Sequence, residues 1–122
     1  MDKRDRDKIE KIIHDRRLAH HELTAAGSGV YRAFLEMENA AYSDKALSKM
    51  DKELIAVGIS IVLDCESCLE WHIHQALESG ATGDQVLEAI EVGIEMGGGP
   101  ATVSSRFALK VLEYYSQTPP DS

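Results

Sequence analysis

The sequence lacks a basic excess, a long apolar run and a rich supply of cysteine, and each lack removes a class of function. Thirteen lysines and arginines face 21 aspartates and glutamates, a net charge of −8 with a pI near 5.0. Gripping nucleic acid or an anionic membrane without sequence preference needs a basic surface, so neither partner is expected. The longest apolar stretch, LIAVGISIVL at residues 54–63, falls well short of the roughly 20 residues that cross a bilayer, and it reads as a buried helix segment. The opening MDKRDRDKIEK has no apolar core of the kind a secretory signal carries. The expected location is therefore the reducing cytoplasm. A permanent structural disulfide is unexpected there, so the chain's two cysteines, spaced C-x-x-C, point to catalysis or metal binding.

Also missing are any period-two alternation, internal repeat or low-complexity tract. What is present is ordinary globular composition, 43% hydrophobic and 28% charged over 122 residues, enough for one domain spanning 1–122 with a real core. The apolar periodicity is helical throughout and predicts an all-α fold of about six helices. An amphipathic first helix covers residues 5–25, and AAGSG interrupts the chain before a second at 30–41 with Val30, Phe34 and Met37 on its inner side. Ser43-Asp44 restarts the chain into a third helix over 45–62. Asp64 is a natural N-cap for a fourth over 65–79, which stops at Gly80. A fifth runs from about Asp84 to Met96; GGGP then opens a sixth, with Pro100 at its first position and its end near Tyr115. The tail QTPPDS is expected to fray.

On the fourth helix Cys65, Cys68, Leu69, His72 and Ala76 fall on one stripe, whereas His74 points elsewhere. A single zinc ion is disfavoured, because Cys65 and His72 lie roughly 10 Å apart along a helix and no second ligand pair completes the set. A redox pair fits better. Cysteines at i and i+3 of a helix start lie roughly 5–6 Å apart at Cα, within disulfide range. Cys65 gains from the helix end, which favours a thiolate, and Cys68 has His72 one turn on to exchange a proton. Two buried thiols beside a satisfied histidine would leave the same pattern.

The combined pattern Glu53-x11-Cys65-x2-Cys68-x3-His72, with DKELIAVGISIVL before it and QALESGAT after it, resembles the alkylhydroperoxidase AhpD-like branch of the carboxymuconolactone decarboxylase family. The likeness runs from about Val30 to Tyr114 and includes EAIEVGIEMGGGPA, leaving residues 1–28 as an N-terminal amphipathic helix outside it. The resemblance implies an AhpD-like helical bundle assembled as a homo-oligomer, a trimer or hexamer. It implies that Cys68 meets a hydroperoxide and becomes a sulfenic acid. Cys65 then acts as proton donor and resolving partner, closing a Cys65–Cys68 disulfide, and His72 with Glu53 forms the proton relay. Taken alone, Glu53 reads only as an acid in the first turn of a helix. Peroxidase members of one branch carry a histidine between the two cysteines, where this chain has Ser67, so one proton donor is absent.

The expected function is thus a thiol-disulfide oxidoreductase with peroxidase activity. Its partners would be a small hydroperoxide or disulfide substrate and a dithiol reductant, with no cofactor and no metal. The alternatives are a lactone decarboxylase, as in the family's other branch, and a non-enzymatic oligomeric binding protein. GGGP lacks the lysine and preceding strand of a phosphate loop and reads as a helix-helix turn. His14, His20, His21, Arg16 and Arg17 read as solvated surface of the first helix, and Trp71 as packed against a neighbouring helix or subunit.

Overall fold

Side chains that accept from backbone N–H groups open five of the six helices in the computed structural model, which describes residues 1–117. The helices are α1 (Lys3–Ala25), α2 (Gly29–Ala41), α3 (Lys49–Leu63), α4 (Glu66–Glu78), α5 (Gly83–Gly97) and α6 (Gly99–Gln117). The capping residues are Asp2, Ser28, Ser48, Cys65 and Thr82, and Thr82 forms a full capping box with Gln85. The expected all-helical architecture is what the described residues adopt. From residue 118 on, the expected frayed tail lies outside them.

Three boundaries differ for local reasons. The third helix starts at Lys49, not 45, because Asp44 Oδ1 accepts from the Lys49 N–H at 2.6 Å while Ser48 Oγ caps Asp51, leaving 43–48 as a loop. Asp64 does not cap the fourth helix. It closes the third in the left-handed conformation (φ 53°, ψ 47°), and Cys65 takes the N-cap. The sixth helix begins at Gly99, one residue before Pro100, and runs two residues past Tyr115.

Helix α3 is the centre of the packing, with α5, α4 and α6 against it. Its Val57 and Ile61 join Leu69, Ile73, Val86, Ile90 and Val111 in the core, and α1 inserts Ile9. The α3 and α5 backbones approach closely at two glycines. A Cβ on Gly93 would sit 2.7 Å from Ile61 Cβ and 2.9 Å from the Gly58 carbonyl, so only glycine allows this spacing. The apolar run of α3 is not wholly buried, since Ile55, Ile59, Val62 and Leu63 are exposed on its far side. No described helix is long and apolar enough to cross a membrane.

Helix α2 buries no residue completely and leans only on α1. Val30, Phe34 and Met37, expected inside, are exposed. The half-buried stripe is Tyr31, Leu35 and Glu38, one residue further round. A hydrogen bond at 2.7 Å between Tyr31 Oη and His20 Nδ1 of α1 holds that face inward.

Candidate active site

The junction of α3 and α4 places the cysteines. Asp64 turns the chain in a single residue, its N–H reaching the Ile61 carbonyl and its Oδ1 accepting from Ser104 Oγ at 2.8 Å. The Cys65 N–H returns to the Ser60 carbonyl at 3.2 Å, which fixes Cys65 at the mouth of α4. There Cys65 Sγ accepts from the Cys68 N–H at 3.2 Å and is joined to Cys68 as a disulfide, with a Cα–Cα separation of 5.2 Å. Freed by reduction, the Cys65 sulfur faces the Cys68 N–H and the positive end of the helix dipole, both of which favour its thiolate.

His72 follows Cys68 by one turn on the same side of α4. Its Nδ1 lies 2.7 Å from Oε1 of Glu53, which is almost fully buried on α3. The second Glu53 oxygen accepts from Lys49 Nζ at 3.0 Å, and the same ammonium reaches Gln75 Oε1 at 3.1 Å and Ser79 Oγ at 3.4 Å. Burial alone would push the Glu53 carboxyl up. The hydrogen bonds from His72 and Lys49, with their charges, outweigh burial and hold it below the ordinary carboxylate range. An ionised carboxylate only accepts, so Nδ1 of His72 carries the proton of this bond and Nε2 is left as the basic nitrogen. Tyr42 stacks obliquely on the His72 ring, 5.3 Å between centroids. Burial, then the charges of Glu53 and Glu38, raise its phenol above the usual range, so it stays neutral.

Of the residues expected from the sequence, Cys65, Cys68, His72 and Glu53 are thus brought together, and His74 stands apart. His74 stacks on Tyr115 at 4.2 Å and lies 3.3 Å from Glu78. Two groups escaped the sequence reading. Lys49 carried a usable signal, its i,i+4 spacing to Glu53. The other group centres on Glu70, fully buried beside Trp71, whose carboxylate accepts from both Arg16 and the Tyr115 hydroxyl. Arg16 is therefore not a solvated surface residue. It is tied to α4, and its guanidinium lies 4.8 Å from the Trp71 ring centroid. Burial, then the hydrogen bond to Glu70 and its charge, push Tyr115 far above the usual phenol range. His20 is likewise held, by Tyr31.

A groove of about 590 Å³ opens between α1, α2 and α4 onto this site. Cys68 and His72 line it together with Trp71, Phe34, Leu35 and Arg17. Among the described residues no group of three or more potential metal ligands converges anywhere.

An all-helical bundle with a dithiol at a helix mouth, backed by a histidine-carboxylate pair, defines the class. The chain belongs to the carboxymuconolactone decarboxylase family, of AhpD-like type: the family's sequence profile matches residues 28–111. It is 40% identical over 92 residues to the uncharacterized protein 4 in the cox locus of Paracoccus denitrificans, covering 75% of this chain and 83% of that one. It is 29% identical over 99 residues to the alkyl hydroperoxide reductase AhpD of Anaeromyxobacter sp. (strain K), covering 71% of this chain and 53% of the relative. Its fold superposes with a TM-score of 0.86 on the apo crystal structure of a carboxymuconolactone decarboxylase family protein from Legionella pneumophila. That match is 29% identical and covers 91% of this chain and 99% of the other.

Proposed function

We propose that this protein is a thiol-disulfide oxidoreductase with peroxidase activity, working in a reducing compartment. One observation carries the reading: Cys68 and His72 line one groove, with Cys65 in disulfide contact behind Cys68 and Glu53 hydrogen-bonded to His72. The similarity to an alkyl hydroperoxide reductase supports it.

In the reduced protein His72 takes the Cys68 proton through Nε2, and Glu53 stabilises the imidazolium that results. The Cys68 thiolate attacks the terminal oxygen of a hydroperoxide. The O–O bond breaks, the alkoxide takes a proton and leaves as an alcohol, and the sulfur, oxidised by two electrons, becomes a sulfenic acid. The Cys65 thiolate then attacks the Cys68 sulfur, water leaves and the disulfide closes. A dithiol returns the pair to thiols through a mixed disulfide, itself becoming a disulfide. Ser67 supplies no ring nitrogen near the sulfurs, so protonation of the leaving alkoxide falls to His72 and to Cys65.

The chain is further proposed to act as a homo-oligomer, a trimer or hexamer. The support is a groove of about 540 Å³ between α3 and α5, walled by Ile55, Ile59, Val62, Val92 and Met96, an apolar surface of the kind that marks an interface. Light scattering on the purified protein tests this, and a monomer at micromolar concentration refutes it.

The test of the activity is turnover of cumene hydroperoxide with dithiothreitol as reductant. Cys68→Ser abolishes turnover, and Cys65→Ser leaves a sulfenic acid that a dimedone probe traps on Cys68. Full activity in both variants removes the proposal. Turnover of a carboxymuconolactone by the double serine variant favours a decarboxylase instead.

A further inference from the structure

The groove is far larger than the chemistry of an O–O bond requires. At about 590 Å³ it falls in the range of sites that hold an organic ligand of some size. Its walls are apolar where Phe34 and Leu35 of α2 face Trp71 of α4, and its charges are sorted along it. Both arginines of the lining, Arg16 and Arg17, come from α1, as does His20. The one acid in the lining is Glu38, close enough to Tyr42 to raise its phenol and hence at the His72 end.

Two of the three α1 groups are already engaged. Arg16 is neutralised by buried Glu70 and lies over Trp71, and His20 is hydrogen-bonded to Tyr31. Arg17 is exposed and has no salt bridge to any described residue. A protein of net charge −8 repels anions overall, so a groove-lining guanidinium that no described carboxylate holds in a salt bridge, with the Tyr114 phenol in its field, marks where an anion is welcome.

We infer that the substrate is an amphipathic hydroperoxide with a carboxylate head, of the fatty-acid hydroperoxide class. Its head rests on Arg17, its apolar body lies between Phe34, Leu35 and Trp71, and its peroxide meets Cys68. The inference rests on the peroxidase reading above and adds the substrate to it. The redox step is the one already written, with the hydroxy fatty acid as product and a dithiol as electron source.

The experiment uses the full chain with dithiothreitol and compares linoleic acid 13-hydroperoxide with its methyl ester, both below micellar concentration. The free acid is expected to exceed the ester in kcat/KM by roughly fivefold, the size of one well-placed exposed ion pair. Arg17→Gln brings the acid-to-ester ratio toward one through KM, while Lys3→Gln, an equal change of charge at the exposed start of α1, leaves it unchanged. Added salt lowers the ratio. Cumene hydroperoxide keeps the two readings apart. If it is reduced while acid and ester react equally, the carboxylate-binding inference falls and the peroxidase reading stands. If no hydroperoxide is reduced, both fall. If Arg17→Gln shifts the oligomeric state in light scattering and leaves the preference intact, a second copy of the chain covers the groove and the inference is overturned.

Discussion

Glu53 and His72, on different helices and 19 residues apart in the chain, meet at 2.7 Å. The acid is buried and charged, so it fixes the imidazole tautomer as well as its position. A general base of this kind contributes about 10²–10⁴ in rate. His72→Asn keeps an N–H donor near the Nδ1 position for Glu53 and removes the basic Nε2, so it is expected to lower kcat for peroxide reduction within that span while leaving the thermal midpoint nearly unchanged. Stopped-flow oxidation of the reduced variant, followed by tryptophan fluorescence of Trp71, checks it.

Lys49 is the less visible member of the same relay. It donates to Glu53 and also spans to Gln75 and Ser79 of α4. The folded-state pKa of Glu53 is depressed. Its contribution to stability is therefore fully present above the unfolded carboxyl value of about 4.3, and is lost as pH falls through the folded value. Lys49→Met removes one of the two donors, so burial weighs more. The stability lost to Glu53 protonation should therefore be smaller and complete at a higher pH than in the parent, while the acid limb of kcat/KM moves to a higher pH. Lys49 is 38% exposed, which limits its loss at neutral pH to about 1 kcal/mol. Urea midpoints between pH 3 and 7 measure the effect, and a limb that stays in place shows that Lys49 does not set the charge of Glu53.

The disulfide joins residues only three apart in sequence. Closing so short a loop contributes at most about 2 kcal/mol in the chain-entropy view. Reduction should leave the far-ultraviolet circular dichroism unchanged and lower the thermal midpoint by a few degrees, since the Ser60, Asp64 and Ser104 bonds hold the helix junction without it. Loss of helix on reduction contradicts this and makes the bond structural.

Gly93→Ala tests the closest approach in the core. The added methyl meets Ile61 and the Gly58 carbonyl at under 3 Å, neither of which can move freely. The expected cost is about 1–3 kcal/mol, read by urea denaturation. Gly29→Ala, where a Cβ meets nothing within 4 Å, should leave stability within experimental error or raise it.

The helices were legible because apolar spacing and cap residues are local signals, and so was the stripe that carries Cys65, Cys68 and His72. Glu53 was legible only through the likeness of its surroundings to a known family. Nothing in nineteen residues of separation says that two helices will fold back to pair it with His72. Asp64 misled because a side chain that caps the next helix also tolerates the left-handed conformation that ends the previous one. Val30, Phe34 and Met37 misled because α2 has a single helical neighbour, so one tyrosine hydrogen bond, and not apolar area, sets its rotation. Arg16 gave no local signal at all, its partner lying 54 residues away.

That distant partner changes what the first helix is. The family's shared region begins at residue 28, which invites treating the preceding segment as a dispensable extension. Yet Glu70 sits wholly inside the protein and draws its countercharge from α1. A version of the chain trimmed to the shared region would leave that carboxylate facing Tyr115 alone and strip one wall from the groove beside Cys68. The trimmed chain would have to protonate Glu70 or open a path for water to it. For this member of the family, the smallest unit that can be cut out and studied includes its first helix.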